Sequence, residues 1–498
     1  MDLNSIKKLA GQTAIYGLSS VVGRILNYLL VPLYTRVFST EQYGVVTEMY
    51  AYVAFLIIIL TYGMETAFFK FSSESTEKSK IYSTTLISLI TTSTLFIAIT
   101  SYFSESIAIW LRYPNHTEYV IWFAIIVGLD ALSSIPLAKL REQNKAGLFV
   151  TANLISIATN IGLNLFFLVY CRQVFQAGGI ESNWLVSTFY NPSVGVGYVF
   201  ISNLVASIAK TLFLFPWIIV KSPLFDKALF SKMFLYAAPL LLAGLAGIIN
   251  EAIDRVMLKN ILYDTLGEKA TMEQLGIYGA CYKVSMIIAI FIQAFRFAAD
   301  PFFFAQKANN KNAKEIYAVV MKYFIIACST IFIGIMLYID NVMWFVGEDF
   351  REGVIIVPIL LMANLLLGVY YNLSIWYKLS GQTQYGAYIA IFGATITIAA
   401  NYILIPLIGY VGSAWATLFC YASMTFASYL MGKKKYPINY GLKKLTAYPL
   451  AAVFVYFLSI YISVDSETMK FCVNTLILLG FIFTILYVER KEIKSLLK

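Results

Sequence analysis

Long apolar stretches separated by short polar turns follow one another along the whole chain. Each is long enough, at about 18 residues or more, to cross the hydrocarbon core of a bilayer as a helix. A window of about 19 residues predicts fourteen spans, at residues 13–34, 45–68, 81–103, 119–137, 148–170, 197–220, 235–258, 277–299, 319–338, 354–376, 385–406, 412–431, 445–464 and 471–487. The loops between them are short. The longest, 171–196, carries the turn-rich runs GGIESN and YNPSVGVG and is read as a loop. No soluble domain is expected, so whatever the chain does takes place inside the membrane.

Composition agrees with the pattern: 59% of the 498 residues are hydrophobic and 13% are charged, about half the charge of a soluble domain. The basic start MDLNSIKKLAGQTAIYG runs into the first span without an A-x-A site, which reads as a span and not a cleaved leader. Of the 37 Lys and Arg, five lie deep within spans, and Lys322, near the start of span 9, is counted with the loop before it. Seven lie on the side away from the N-terminus: Arg36, Arg112, Arg172, Lys259, Lys269, Arg351 and Lys470. The remaining 25 share the N-terminal side, a bias that predicts both termini in the cytoplasm. The net charge of +10 then reports topology and an anionic lipid surface, with no nucleic-acid partner. The five cysteines have no CxxC spacing and are read as packing residues. The single histidine, His116, sits in the polar turn RYPNHTEY, so neither a metal site nor a catalytic triad is expected.

The chain repeats itself. EQYG at Glu41–Gly44 returns as EQLG at Glu273–Gly276, 232 residues on. ETAFFKFSSESTEKSKIY from Glu65 is echoed by DPFFFAQKANNKNAKEIY from Asp300, QNKAG at Gln143 by QTQYG at Gln382, and VGYV at Val196 by VGSA at Val411. Six spans separate the copies, so both enter the membrane from the same side. This predicts an all-α polytopic membrane protein: a parallel repeat of two six-helix lobes around a central cavity, plus two further helices. The boundaries are residues 1–225 for the first lobe, 226–435 for the second, and 436–498 for spans 13 and 14.

A charge near the bilayer centre costs about 2.5–3.5 kcal/mol on insertion scales, so each one needs a reason. Arg24 shares a face of span 1 with Ser20 and Asn27. It precedes EQYG by 17 residues, as Arg255 precedes EQLG by 18. Lys210 lies mid-span on a stripe with Asn203, Ser207 and Thr211, and span 5 carries Asn153, Ser156, Asn160 and Asn164 on one face. Lys283 and Arg296 lie in span 8. Lipid satisfies none of these groups, so they face protein or a watery cavity. The asparagines serve either as cavity lining or as interhelical hydrogen-bond partners.

Among the acids, Glu251, Asp254 and Arg255 cluster in span 7, where Glu251 and Arg255 are one turn apart and able to pair; Arg296 and Asp300 have the same spacing. Both sets are either structural ion pairs or ion-coupling sites. Glu65 and Asp300 are repeat partners, expected at the interface as gate contacts. Five intramembrane bases against three acids favour an anionic substrate, whose oxygens an arginine fork binds in pairs.

These residues resemble the polysaccharide and O-antigen (Wzx-type) flippases of the multidrug/oligosaccharidyl-lipid/polysaccharide exporter (MOP) superfamily. The resemblance is carried by LYTRVFSTEQYGVVTEMY, YGMETAFFKF, LAKLREQNKAGLF and IPLIGYVGSAWAT, and it extends over nearly the full chain. It implies a transporter and not an enzyme, moving an undecaprenyl-diphosphate-linked oligosaccharide to the outer leaflet of a bacterial inner membrane. It also implies Na+ or H+ as coupling ion and no cofactor. The implied partners are the lipid-linked oligosaccharide, membrane lipids and the polysaccharide polymerase machinery, with the chain itself a monomer. The family's basic cavity residues carry over to Arg24 and Arg255, and more loosely to Lys210, Lys283 and Arg296. Lipid II flippases have further arginine in the second helix, whereas nothing basic lies between Val45 and Phe69 here. Drug/cation antiporters of the superfamily, the alternative reading, use an acid in helix 1, which this chain lacks. A membrane polymerase or ligase would need a sizeable outside loop for its catalytic groups.

Overall fold

The computed structural model describes residues 22–178, 183–220, 224–309, 313–462 and 466–496, and all regular structure among them is helical. Residues 22–28 are helical and lead into α1 (Val31–Val37). The rest of span 1 lies outside the described residues. The next helices are α2 (Thr40–Thr61), α3 (Lys78–Tyr102), α4 (Thr117–Glu142), α5 (Ala146–Leu165), α6 (Gly197–Ile218) and α7 (Lys227–Leu266). They are followed by α8 (Glu268–Asn309), α9 (Ala313–Leu337), α10 (Ile356–Leu373), α11 (Gln384–Ile408), α12 (Tyr410–Lys435), α13 (Leu442–Ile460) and α14 (Glu467–Leu496).

Twelve of the described helical segments are long and apolar enough to cross a membrane. The two predicted spans not among them are the first and the twelfth. The helix of span 12, α12, has 26 residues, but its Gly, Ala, Ser and Thr content dilutes its hydropathy. Those small residues let it pack closely: Gly412, Ser413, Ala414, Ala416 and Thr417 are all buried. The segment read as a loop after span 5 is partly helical, with a π turn at Phe166–Cys171 and short helices at Arg172–Gln176 and Trp184–Phe189.

The two EQ-x-G motifs differ locally. Before α2, Ser39 and Gln42 form a capping box: Gln42 N–H donates to Ser39 Oγ at 3.2 Å and Ser39 N–H donates to Gln42 Oε1 at 3.3 Å. EQLG lies inside α8 and caps nothing. What the copies share is the glycine. A Cβ on Gly44 would lie 2.3 Å from the Met272 carbonyl oxygen, and one on Gly276 would lie 1.8 Å from that of Thr40. The starts of α2 and α8 therefore touch backbone to backbone.

The chain forms two compact units, Met1–Gly276 and Ile277–Lys498. In the first, α4 packs on α3 and α6, α5 on α6, and α7 on α2. One of its cores joins Met64, Phe68, Leu86, Leu89, Ile135 and Met233. In the second, α12 packs on α10 and α11, while α9 packs on α13 and α14; Tyr370, Trp376, Cys420 and Met424 lie in its core. Large apolar side chains also stand exposed, among them Phe454, Phe457, Leu476, Leu479 and Phe483. Hydrocarbon covers such surfaces at no cost, which explains this density of exposed leucine and phenylalanine in an integral membrane protein.

Candidate functional site

In the first unit, the predicted polar stripe of α6 faces α2 and α4. Asn203 Nδ2 donates to Tyr50 Oη at 2.9 Å. One turn on, Ser207 Oγ donates to Asp130 Oδ1 at 3.0 Å, and Lys210 Nζ reaches the same oxygen at 2.6 Å. Ser133 and Thr211 hydroxyls meet at 3.2 Å. Asp130, in the middle of span 4, was not weighed in the sequence. Lys210, a candidate for the anionic head group, is thus half of a charge pair. The tally of five bases against three acids changes accordingly.

A second polar track joins the first helix to α5. Asn160 Nδ2 donates to Asn27 Oδ1 at 3.4 Å, and Asn164 Nδ2 donates to Asn160 O at 2.8 Å and to its Oδ1 at 3.1 Å. Asn164 is buried and its own Oδ1 has no hydrogen-bond partner among the described residues. Asn153 is half-buried two turns earlier on α5. Arg24 is exposed, one turn before Asn27. The predicted stripe is therefore a real amide ladder, with an arginine beside its end.

On α7 the predicted cluster is wired differently from expectation. Arg255 Nη1 lies 3.1 Å from Asp254 Oδ1, and its backbone N–H donates to the same oxygen at 2.8 Å. Toward Glu251 the guanidinium bonds the backbone carbonyl, not the carboxylate, which is exposed. The pairing expected between the Glu251 and Arg255 side chains is thus replaced by Arg255 with Asp254. The helix explains this: Arg255 reaches back one turn to a carbonyl that is already fixed in place.

Further along α7 stands Lys259, placed by sequence in a loop. It is inside the helix, 3% exposed, with Nζ 2.8 Å from Glu48 Oε2 on α2, which is itself fully buried. The same ammonium donates to the Leu111 carbonyl at 2.8 Å and lies over the Tyr113 ring at 4.0 Å. The Tyr113 hydroxyl donates to Glu48 Oε2. Burial, and then the Glu48 charge, raise the Tyr113 phenol well above its usual range, so it stays a donor. The cluster is hidden in the sequence because Glu48 stands three residues inside span 2 and Lys259 one residue beyond span 7. An acid and a base in adjacent apolar spans were the available signal.

In the second unit, Lys283 is half-buried on α8, and the Arg296 guanidinium lies 3.9 Å from the Tyr371 ring centroid. Arg296 Nε is buried with no hydrogen-bond partner among the described residues. Asp300 lies where side chains fall outside the described residues. Its repeat partner Glu65 is half-exposed and pairs with Arg141, in the last turn of α4. A further network was missed. Lys322, assigned by sequence to a loop, is buried in α9 and bonds Glu489 Oε2 at 2.6 Å and Glu492; Lys444 reaches Glu489 Oε1 at 2.8 Å. It ties α13 and α14 to α9. His116 is a half-exposed imidazole, stacked on Tyr119 and 2.9 Å from Glu118.

Solved structures share this multi-pass helical architecture. The lipid II flippase MurJ in an inward closed conformation matches with a TM-score of 0.70 at 15% identity, over 96% of this chain and 99% of that one. An inward-facing multidrug resistance MATE transporter of the MOP superfamily matches with a TM-score of 0.63 at 14% identity, over 85% of this chain and 94% of that one. The fold is that of the MOP superfamily. The chain belongs to the polysaccharide biosynthesis protein family, whose profile matches residues 9–305. One relative is the probable low-salt glycan biosynthesis flippase Agl15 of Haloferax volcanii, 21% identical over 412 residues, covering 82% of this chain and 80% of that protein. The resemblance read from the sequence holds at the level of the polysaccharide biosynthesis family and of the fold.

Proposed function

We propose that this protein is a flippase for a lipid-linked oligosaccharide, working by alternating access between its two repeats. The reading extends to an undecaprenyl-diphosphate carrier moved from the cytoplasmic to the periplasmic leaflet of a bacterial inner membrane, coupled to an H+ or Na+ gradient. One observation carries it: the family match over residues 9–305 contains every cationic candidate from Arg24 to Arg296. In this mechanism Arg24 and Arg255 hold the diphosphate, because a guanidinium binds two oxygens at once and keeps its charge in a low-dielectric site. The amides of Asn27, Asn160 and Asn203 supply neutral hydrogen bonds to sugar hydroxyls. The lipid tail stays in hydrocarbon throughout.

The test uses purified protein in liposomes with a fluorescent undecaprenyl-diphosphate oligosaccharide, reading leaflet exposure with a membrane-impermeant quencher. Wild type should exchange the label between leaflets. Arg24→Ala should slow exchange by about tenfold or more, the loss expected for one charge-assisted hydrogen bond. No exchange by wild type, alongside efflux of a cationic dye, would replace this reading with the drug/cation antiporter.

A further inference from the structure

The Glu48–Lys259–Tyr113 cluster is the most deeply buried charge pair among the described residues, and the proposed mechanism leaves it unused. It joins three segments of the first unit: α2, the turn before α4, and α7. It lies beside the glycine contact of the two EQ-x-G motifs, with Tyr113 Oη 4.0 Å from Met272 Sδ. A buried ion pair is weak evidence for stability, since desolvation offsets most of the attraction. Well-packed apolar side chains would hold the same helices at least as well. Moreover, Glu48 Oε1 is buried with no hydrogen-bond partner among the described residues. A carboxylate oxygen left in that state has lost its water without gaining a donor in return.

We propose that Glu48 is a proton-binding site whose occupancy controls the contact between α2 and α7 at the end away from the basic loops. The proposal deepens the ion-coupled reading given above and rests on it. A proton from that side adds to the Glu48 carboxylate and gives the neutral acid. Lys259 keeps its own proton, so the cluster gains one positive charge. The ammonium is then buried without a counter-charge, a state costly enough to drive it towards water. Because Lys259 is fixed on α7, its exit carries that end of the helix away from α2 and from Leu111.

Other ionisable groups surround the site. Tyr52 stands beside the carboxylate on α2 itself. From the turn, Arg112 pairs with Asp264 of α7 at 3.4 Å and lies over the Tyr263 ring. Glu268, at the start of α8, acts on both Tyr113 and Lys259 through space. His116 reaches the cluster only through Tyr119, whose ring meets that of Tyr113. His116 is the one imidazole near the cluster, and because histidine is the usual side-chain switch in this pH range it needs its own control.

Spin labels at Glu41→Cys and Leu266→Cys, with exposed Cys472 changed to Ser, report the separation of α2 and α7 in the full-length protein in lipid nanodiscs. Between about pH 8 and about pH 5, the wild-type fraction at long distance should rise at least about twofold. Glu48→Gln should hold the long distance at every pH. His116→Gln should leave the wild-type response intact. Should Glu48→Gln fail to fold, the uncharged double variant Glu48→Gln/Lys259→Met should fold and show no response to pH. A pH-independent wild type, or a response that survives loss of Glu48, overturns the proposal. The distances are read without substrate. A helix response without lipid exchange would therefore sink the flippase reading and leave the proton site standing.

Discussion

Lys210 and Asp130 approach to 2.6 Å with side chains 13% and 30% exposed, so neither is fully withdrawn from its surroundings. Removing either one leaves the other charged in an apolar span, whereas removing both leaves only hydroxyl and amide groups. Lys210→Met and Asp130→Asn should therefore each destabilise the protein by about 1–3 kcal/mol, a buried-pair penalty reduced for partial exposure. The double variant should recover most of that loss, and thermal unfolding in detergent measures all three. Equal losses that simply add would mean that the two charges do not depend on each other. The same logic separates Arg255 from Arg24: the first is held by Asp254 and a backbone carbonyl, while the second is exposed beside an asparagine pair. Arg24 is accordingly the cleaner probe of the substrate path.

Among the elements, the start of α2 shows how a short sequence can set a helix position. Ser39 and Gln42 fix where the helix begins, and Gly44 then allows α8 to lie against it. Gly276→Ala places a methyl carbon 1.8 Å from the Thr40 carbonyl oxygen. The helices must part, at a cost of about 1–3 kcal/mol for overpacking. Gly480→Ala, on exposed α14 with nothing within 4 Å, should instead be neutral or stabilise by up to about 1 kcal/mol through helix propensity. Melting temperatures of the two variants check the contrast. An unchanged Gly276→Ala would mean that the close contact is dispensable.

At the scale of the whole molecule, the bias of Lys and Arg towards one side predicts the orientation of the chain. A fluorescent protein should fold on the C-terminus and after Ser75, and a phosphatase that matures only outside the cytoplasm should be active after Gly267; the reverse pattern would invert the topology. The helical architecture was legible in the sequence because lipid enforces it: an apolar run of spanning length has no other way to satisfy its backbone. The family and the polar stripes of α5 and α6 were legible for the same reason, since polar residues in hydrocarbon stand out against a uniform background. What the sequence could not supply was partnership. Nothing along the chain links Lys210 to Asp130 of α4, 80 residues away, and Glu48 and Lys259 are 211 residues apart. Spacing along one helix predicts which residues share its face but not which helix lies opposite, so Arg255 met Asp254 and not the carboxylate of Glu251. Hydropathy and periodicity thus determined the spans and their polar faces. Only tertiary packing decided which charges neutralise one another, because an ion pair between helices is set by distance in space and leaves no periodic mark on the chain.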